Sequence, residues 1–226
     1  MQQQVATLYR SSVGKKILMA LSGILLVGFI VLHMLGNLKV FAGETGFNAY
    51  AGFLREVGYP ALPHSGALWA VRTLLLGAVA VHVWMALELW RMSAGAREQR
   101  YAKSKDLSFA YASRTMRWGG VIILLFLVYH ILHFTTGQAH HDFMEGNAYH
   151  NFVTAFRVPW IVVVYVVAQA ALCLHLYHGV WSLFQTLGAN HPRYNRYRRP
   201  LAAVFAIGIF VGFVAPPILV LARVVV

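Results

Sequence analysis

Apolar positions in this chain come in five long blocks, separated by polar segments that collect most of the arginine, lysine and proline. The blocks run from Ile17 to about Phe41, Gly66 to Trp90, Trp118 to Thr136, Val158 to Leu187 and Leu201 to Leu221. About 20 apolar residues in a helix cross a hydrocarbon layer of ~30 Å, so each block is long enough to span a bilayer. Backbone groups in lipid must satisfy one another, which favours helices over open strands. A strand barrel needs segments of ~10 residues that alternate in polarity, and no such alternation occurs here. The pattern therefore predicts an all-α integral membrane bundle of five transmembrane helices, forming a single domain over 1–226.

Composition strengthens this reading. Apolar residues make up 59% of the chain and charged residues 12%, about half the charge fraction of a soluble domain. The first apolar run is too long for a signal-peptide core and lacks a small-residue cleavage pattern, so it is expected to remain as helix one. A single cysteine, Cys173, lies inside the fourth block, which leaves no disulfide framework. No sequence repeat occurs beyond the blocks themselves. Between blocks one and two, Phe47, Ala51, Leu54 and Gly58 recur at helical spacing within Glu44–Gly58. This predicts either a short helix lying in the membrane interface or a folded loop cap.

The formal net charge of +12 raises nucleic acid as a partner, but the placement of the charge argues against it. Five spans alternate sides. One side collects Arg10, Lys15 and Lys16, then Arg91, Arg97, Arg100, Lys103, Lys105, Arg114 and Arg117, then Arg193, Arg196, Arg198 and Arg199. The other side has Lys39, Arg55, Arg72, Arg157 and Arg223. Fourteen against five, by the positive-inside rule, puts the N-terminus and the basic loops in the cytoplasm. Anionic lipid or an acidic partner then accounts for the charge without nucleic acid. The expected location is the cell's inner (plasma) membrane, as a multi-pass protein.

Histidine is the candidate chemistry. Of eleven, His64, His140, His141, His150 and His191 fall between the blocks. His33, His82, His130, His133, His175 and His178 fall inside them, where ionisable side chains are costly and usually functional. At 1.5 Å rise per residue, His33 lies about 15 Å and His130 about 10 Å from the outer ends of their helices. His82 and His175 lie about 24 and about 27 Å from theirs. Two layers result, each drawing one histidine from each of two helices. Two imidazoles per layer suit a haem iron with both axial positions filled, a state fitted to electron transfer, in a site built between facing helices. A metal-transport path would add carboxylates or thiolates, and the blocks offer only Glu88 and Cys173; a proton relay would not require matched layers. His133 and His178 each follow a proposed ligand by three residues. They are expected either to hydrogen-bond a haem propionate or quinone oxygen, or to be the ligands themselves. Gly179, Gly36 and Gly77 lie near the layers, where glycine would let a flat ring approach.

The segments around these histidines read VLHMLGNLKVFAG with FNAYAGFLR, VAVHVWMALELW, GGVIILLFLVYHILHF and LHLYHGVWSLFQTLG. In order, spacing and helix number the chain resembles the cytochrome b membrane-anchor subunit of succinate dehydrogenase and fumarate reductase, in its single-chain, five-helix, dihaem form. The resemblance covers nearly the whole chain. It implies His33 and His130 as ligands of a distal haem b near the outer surface, and His82 and His175 as ligands of a proximal haem b. It prefers His130 to His133 by the glycine-to-histidine spacing, and His175 to His178 by H-x3-G-x-W-S. It further implies a flavoprotein subunit and an iron–sulfur subunit on the cytoplasmic face, a membrane quinone (menaquinone) as substrate, and complexes that can assemble further. Succinate chemistry would lie outside this chain. Some dihaem relatives have a glutamate where Cys173 stands, so their proton path is not carried over; Glu88 reads as an interface residue. Asn37, His133 and the Phe47–Phe53 segment are the outer-side quinone candidates. A cytochrome b of a hydrogenase or formate dehydrogenase, and a haem-free anchor or transporter, are the competing readings.

Overall fold

The computed structural model describes residues 11–95, 107–189 and 191–225. Arg10, Arg97, Arg100, Lys103 and Lys105 lie outside the described residues, as does the side chain of Arg114. The described residues contain helices and turns and no strand. Five helices are long and apolar enough to cross a membrane, as the pattern predicts.

Helix α1 spans Ser12–Asn37. Its first turn is closed by Ser11, whose Oγ accepts from the Gly14 amide at 3.0 Å, one of the donors a helix start leaves unpaired. A 3-10 turn, Leu38–Ala42, follows. Gly43 then takes φ +76°, a conformation costly for residues with a Cβ, and turns the chain into α2, Gly43–Glu56. Helix α3 is Gly66–Gly95, α4 is Leu107–His130, and a π turn at Ile131–Thr135 extends α4. Helix α5, Ala148–Phe156, is short. Helices α6, Pro159–Thr186, and α7, Pro192–Leu221, each begin with proline in the first turn, where its missing N–H costs nothing.

Two helices extend past their apolar blocks: the blocks begin at about Trp118 and Leu201, whereas α4 begins at Leu107 and α7 at Pro192. Hydropathy locates the lipid-embedded part of a helix, whereas residues 107–117 and 192–200 are polar turns of the same helices. Pro200 lies inside α7 without ending it. The 44–58 segment is helical as far as Glu56, with Val57 and Gly58 turning out of the helix, and it also serves as a cap. Asn48 Nδ2 donates to Asn147 Oδ1 at 2.9 Å, Asn147 Nδ2 to Glu44 Oε1 at 3.0 Å, and the Tyr149 amide to Asn48 Oδ1 at 3.0 Å. These bonds fasten α2 to α5.

The core divides in two. At the end where α1 and α4 finish, Val40, Phe47, Phe152, Phe156, Ile161, Tyr165 and Val220 form one buried cluster. We term this the capped end. A smaller seam along α6 and α7 joins Leu176, Ala206 and Ile209. The opposite end, which carries Lys15, Arg91 and the start of α7, is the basic end. Helix α6 packs against α4 and α7, and α1 packs against α3 and α7. Large side chains such as Leu32, Trp69, Leu125, Val163 and Val204 are exposed, as lipid-facing positions are.

Candidate functional site

His33 on α1 and His130 on α4 face each other, ring centroids 5.8 Å apart and planes at 80°. His82 on α3 and His175 on α6 do the same at 6.2 Å and 59°. The helices of each pair are otherwise held apart: among the described residues neither α1 with α4 nor α3 with α6 packs closely along its length. Each pair therefore reaches across a gap that other helices define. Among the described residues, neither His133 nor His178 meets a histidine ring from another long helix. His133 packs among Tyr129, Phe134, His140 and Tyr165, and the His178 ring contacts Tyr177.

This donor set fits an iron macrocycle. Two imidazoles bound to one metal at bonds of about 2 Å have centroids about 6 Å apart, as both pairs have. The macrocycle supplies its own four equatorial nitrogens, so two protein ligands suffice. Among the described residues no group of three or more His, Cys, Asp or Glu forms a chelating cluster. The second nitrogens of the His82–His175 pair differ from one another. His82 Nδ1 lies 3.2 Å from the Met19 carbonyl and 3.3 Å from Ser22 Oγ. A proton on Nδ1 donated to that carbonyl leaves the Nε2 lone pair free, the usual outer-shell arrangement for a metal-bound histidine. His175 Nδ1 is buried without a partner. Gly23 stands against the pair: a Cβ there would lie 3.5 Å from His82 Cε1.

The glycines chosen from sequence behave differently. A Cβ at Gly36 would meet the Tyr50 hydroxyl at 3.0 Å, so Gly36 serves the packing of α2 on α1. Gly77 and Gly179 face open space, and Gly179 keeps that face clear one turn from His175. Glu88, read from sequence as an interface residue, is ion-paired within the chain: Lys15 Nζ lies 2.7 Å from it and Arg91 Nη1 3.3 Å. Cys173 is half-buried beside the α6–α7 seam. Of the quinone candidates, His133 is fully buried, Phe47 belongs to the capped core, Phe53 is exposed, and Asn37 ends α1 half-buried.

Tyr165 was not singled out from sequence. Its hydroxyl lies 3.2 Å from His130 Nδ1 and 2.9 Å from His133 Nδ1. The π turn makes this possible, since it carries His133 on a wider arc than an α turn, and such turns gather at functional sites. His133 Nε2 and Tyr129 Oη are buried with no hydrogen-bond partner, and the two rings stack at 5.2 Å. Above them the loop is fixed by His140, whose Nε2 bonds the Asn151 carbonyl at 2.8 Å and whose Nδ1 accepts from the Asp142 amide at 3.0 Å. Burial holds the His140 imidazole below its ordinary pKa, outweighing the pull of the Asn151 carbonyl.

A family model described as the succinate dehydrogenase/fumarate reductase transmembrane subunit matches residues 93–215, over half of the chain. The match takes in His130 and His175, while His33 and His82 precede it. No curated protein matches significantly, and no solved structure does.

Proposed function

Since the chain belongs to the family of succinate dehydrogenase/fumarate reductase transmembrane subunits, we propose that it is the dihaem cytochrome b anchor of such a complex. The observation that carries the proposal is the pair of facing imidazoles in each of two layers, 5.8 and 6.2 Å apart, on helices otherwise held apart. His33 and His130 would hold one haem b and His82 and His175 the other. Bound there, the haems would relay single electrons between an iron–sulfur partner and membrane quinone. The chain's own residues bind, orient and seal. The Met19 carbonyl fixes the His82 tautomer, and Tyr165 orients His130. The capped-end core of Phe47, Phe152 and Phe156 keeps water from the His33–His130 layer.

The basic end is the cytoplasmic face in this proposal, on the positive-inside argument, and receives the iron–sulfur and flavoprotein subunits. Quinone, menaquinone in this reading, approaches the capped end, where the buried His133 Nε2 and Tyr129 Oη lack partners. A quinone carbonyl would accept a hydrogen bond from such a donor, which is expensive to leave unpaired.

The decisive experiment is a reduced-minus-oxidised spectrum of the purified complex with a haem-to-protein determination. Two b-type haems per copy of this chain are expected. A folded complex that is colourless and does not take up added haem defeats the proposal.

A further inference from the structure

We infer that Tyr165 is a positioning residue for the capped-end haem: its hydroxyl accepts a hydrogen bond from His130 and donates one to His133, so that a single directed chain sets both imidazoles. This rests on the proposed haem at His33 and His130.

Tyr165 belongs to α6, whereas both histidines belong to α4 and its π turn. Its ring is gripped edge-on by Phe126 at 4.9 Å, Phe156 at 4.9 Å and Phe134 at 5.9 Å. The hydroxyl is thereby delivered to one point. There it lies 3.2 Å from His130 Nδ1 and 2.9 Å from His133 Nδ1. A phenol offers one proton and accepts through its lone pairs. A histidine that gives Nε2 to iron carries its proton on Nδ1, so His130 must be the donor to Tyr165. The phenol proton then has His133 Nδ1 as its acceptor. This assignment also places the remaining His133 proton on Nε2, the buried atom without a partner.

The direction of the chain has a redox consequence. An acceptor on the outer nitrogen of a metal-bound imidazole makes it a more basic ligand, which favours ferric iron and lowers the potential. The basic-end pair receives the equivalent service from the Met19 carbonyl, so a change at Tyr165 should act on one haem alone.

The test is a potentiometric titration of both haems in the intact complex carrying Tyr165→Phe, which keeps the ring and its packing. The reduced-to-oxidised ratio of the capped-end haem at fixed poise should rise about fivefold, the equivalent of one neutral hydrogen bond; the basic-end haem should titrate unchanged. His133→Phe leaves the Tyr165 hydroxyl in place but removes its acceptor, which weakens the polarisation of the chain; the same haem should shift in the same direction by less. Unshifted potentials in Tyr165→Phe, or equal shifts of both haems, overturn the inference. If Tyr165→Phe retains only the basic-end haem, His133→Phe decides, and an unshifted capped-end haem there overturns it. Absence of haem from the unaltered complex would instead defeat the proposed function, before either variant is read.

Discussion

The two ends of the bundle support nearly equal histidine pairs by different means. At the capped end the chain closes over itself: α5 buries Tyr149, Asn151, Phe152, Val153, Ala155 and Phe156, and an asparagine lattice joins it to α2. His130 is steered by a side chain from another helix, Tyr165. At the basic end, α3 buries only Ala78 and Met85, and His82 is steered by a backbone carbonyl of α1. The Lys15–Glu88 ion pair, rather than an apolar cap, ties α1 to α3 there. On the proposed reading the difference follows from what each end meets. The chain completes the end that faces membrane and outer water, and leaves to its partner subunits the end that they cover.

The sharpest way to break this comparison is to remove one ligand at a time. His33→Ala or His130→Ala should eliminate the capped-end haem and keep the other. His82→Ala or His175→Ala should do the reverse. Each variant is expected to retain about half of the haem, because two axial ligands serve each iron, as read by haem-to-protein ratio and difference spectrum. If all four variants retained normal spectra, the layers would have no chemical meaning.

A second measurement weighs the supports themselves. The Asn151 side chain, 6% exposed, accepts from the Met144 amide at 2.7 Å and donates to the Met144 carbonyl at 2.8 Å. Asn151→Ala would strand the Met144 amide, while the Met144 carbonyl keeps the Asn147 amide at 3.3 Å, a loss of about 1–2 kcal/mol. A lower melting temperature in detergent, with earlier proteolysis within 137–156, is the expected outcome. Lys15→Met at the basic end should lower the melting temperature less, because Glu88, 24% exposed, keeps water and its ion pair with Arg91. The opposite ranking would show that the ion pair, not the cap, governs stability.

Much of this architecture was legible in the sequence because lipid imposes a one-dimensional rule. The five blocks and the two histidine layers follow from helix rise and bilayer thickness, and the structure brings together the residues that depth grouped. What escaped is what that rule does not encode. Helix α5 is nine residues long and buried by tertiary contact, so its segment reads as an ordinary loop. The π turn at Ile131–Thr135 has no compositional signature, and without it Tyr165 cannot be seen to serve both His130 and His133. Tyr165 reads as one more aromatic in an apolar block, and only the packing of α6 on α4 gives its hydroxyl a role. Gly23, not Gly77, stands against His82 because helix rotation, which hydropathy does not fix, decides which glycine faces the ring.

The smallest expected effect concerns acid, and it should be confined to the capped end. His140 is used there as a neutral imidazole: Nδ1 accepts from the Asp142 amide and Nε2–H donates to the Asn151 carbonyl. A second proton would have to sit on Nδ1, where it meets the Asp142 N–H. Burial, above all, holds the folded-state pKa below the ordinary 6.5. The unfolded chain therefore binds the proton first as pH falls, so the stabilisation is complete above pH 6.5 and declines below it. His150 Nε2 lies 3.1 Å from the same Asp142, a contact that has to be held constant. The quantity to read is thus the difference between the unaltered protein and His140→Gln, which keeps a polar side chain but does not titrate. Protection factors of amides in the 137–151 loop, with the pH dependence of intrinsic exchange divided out, should fall between pH 7.5 and pH 5.5 in the unaltered protein and change less in the variant. The amides around Met19 and Ser22 at the basic end serve as the internal reference. An equal acid response at both ends would mean that the cap holds no titratable fastening of its own.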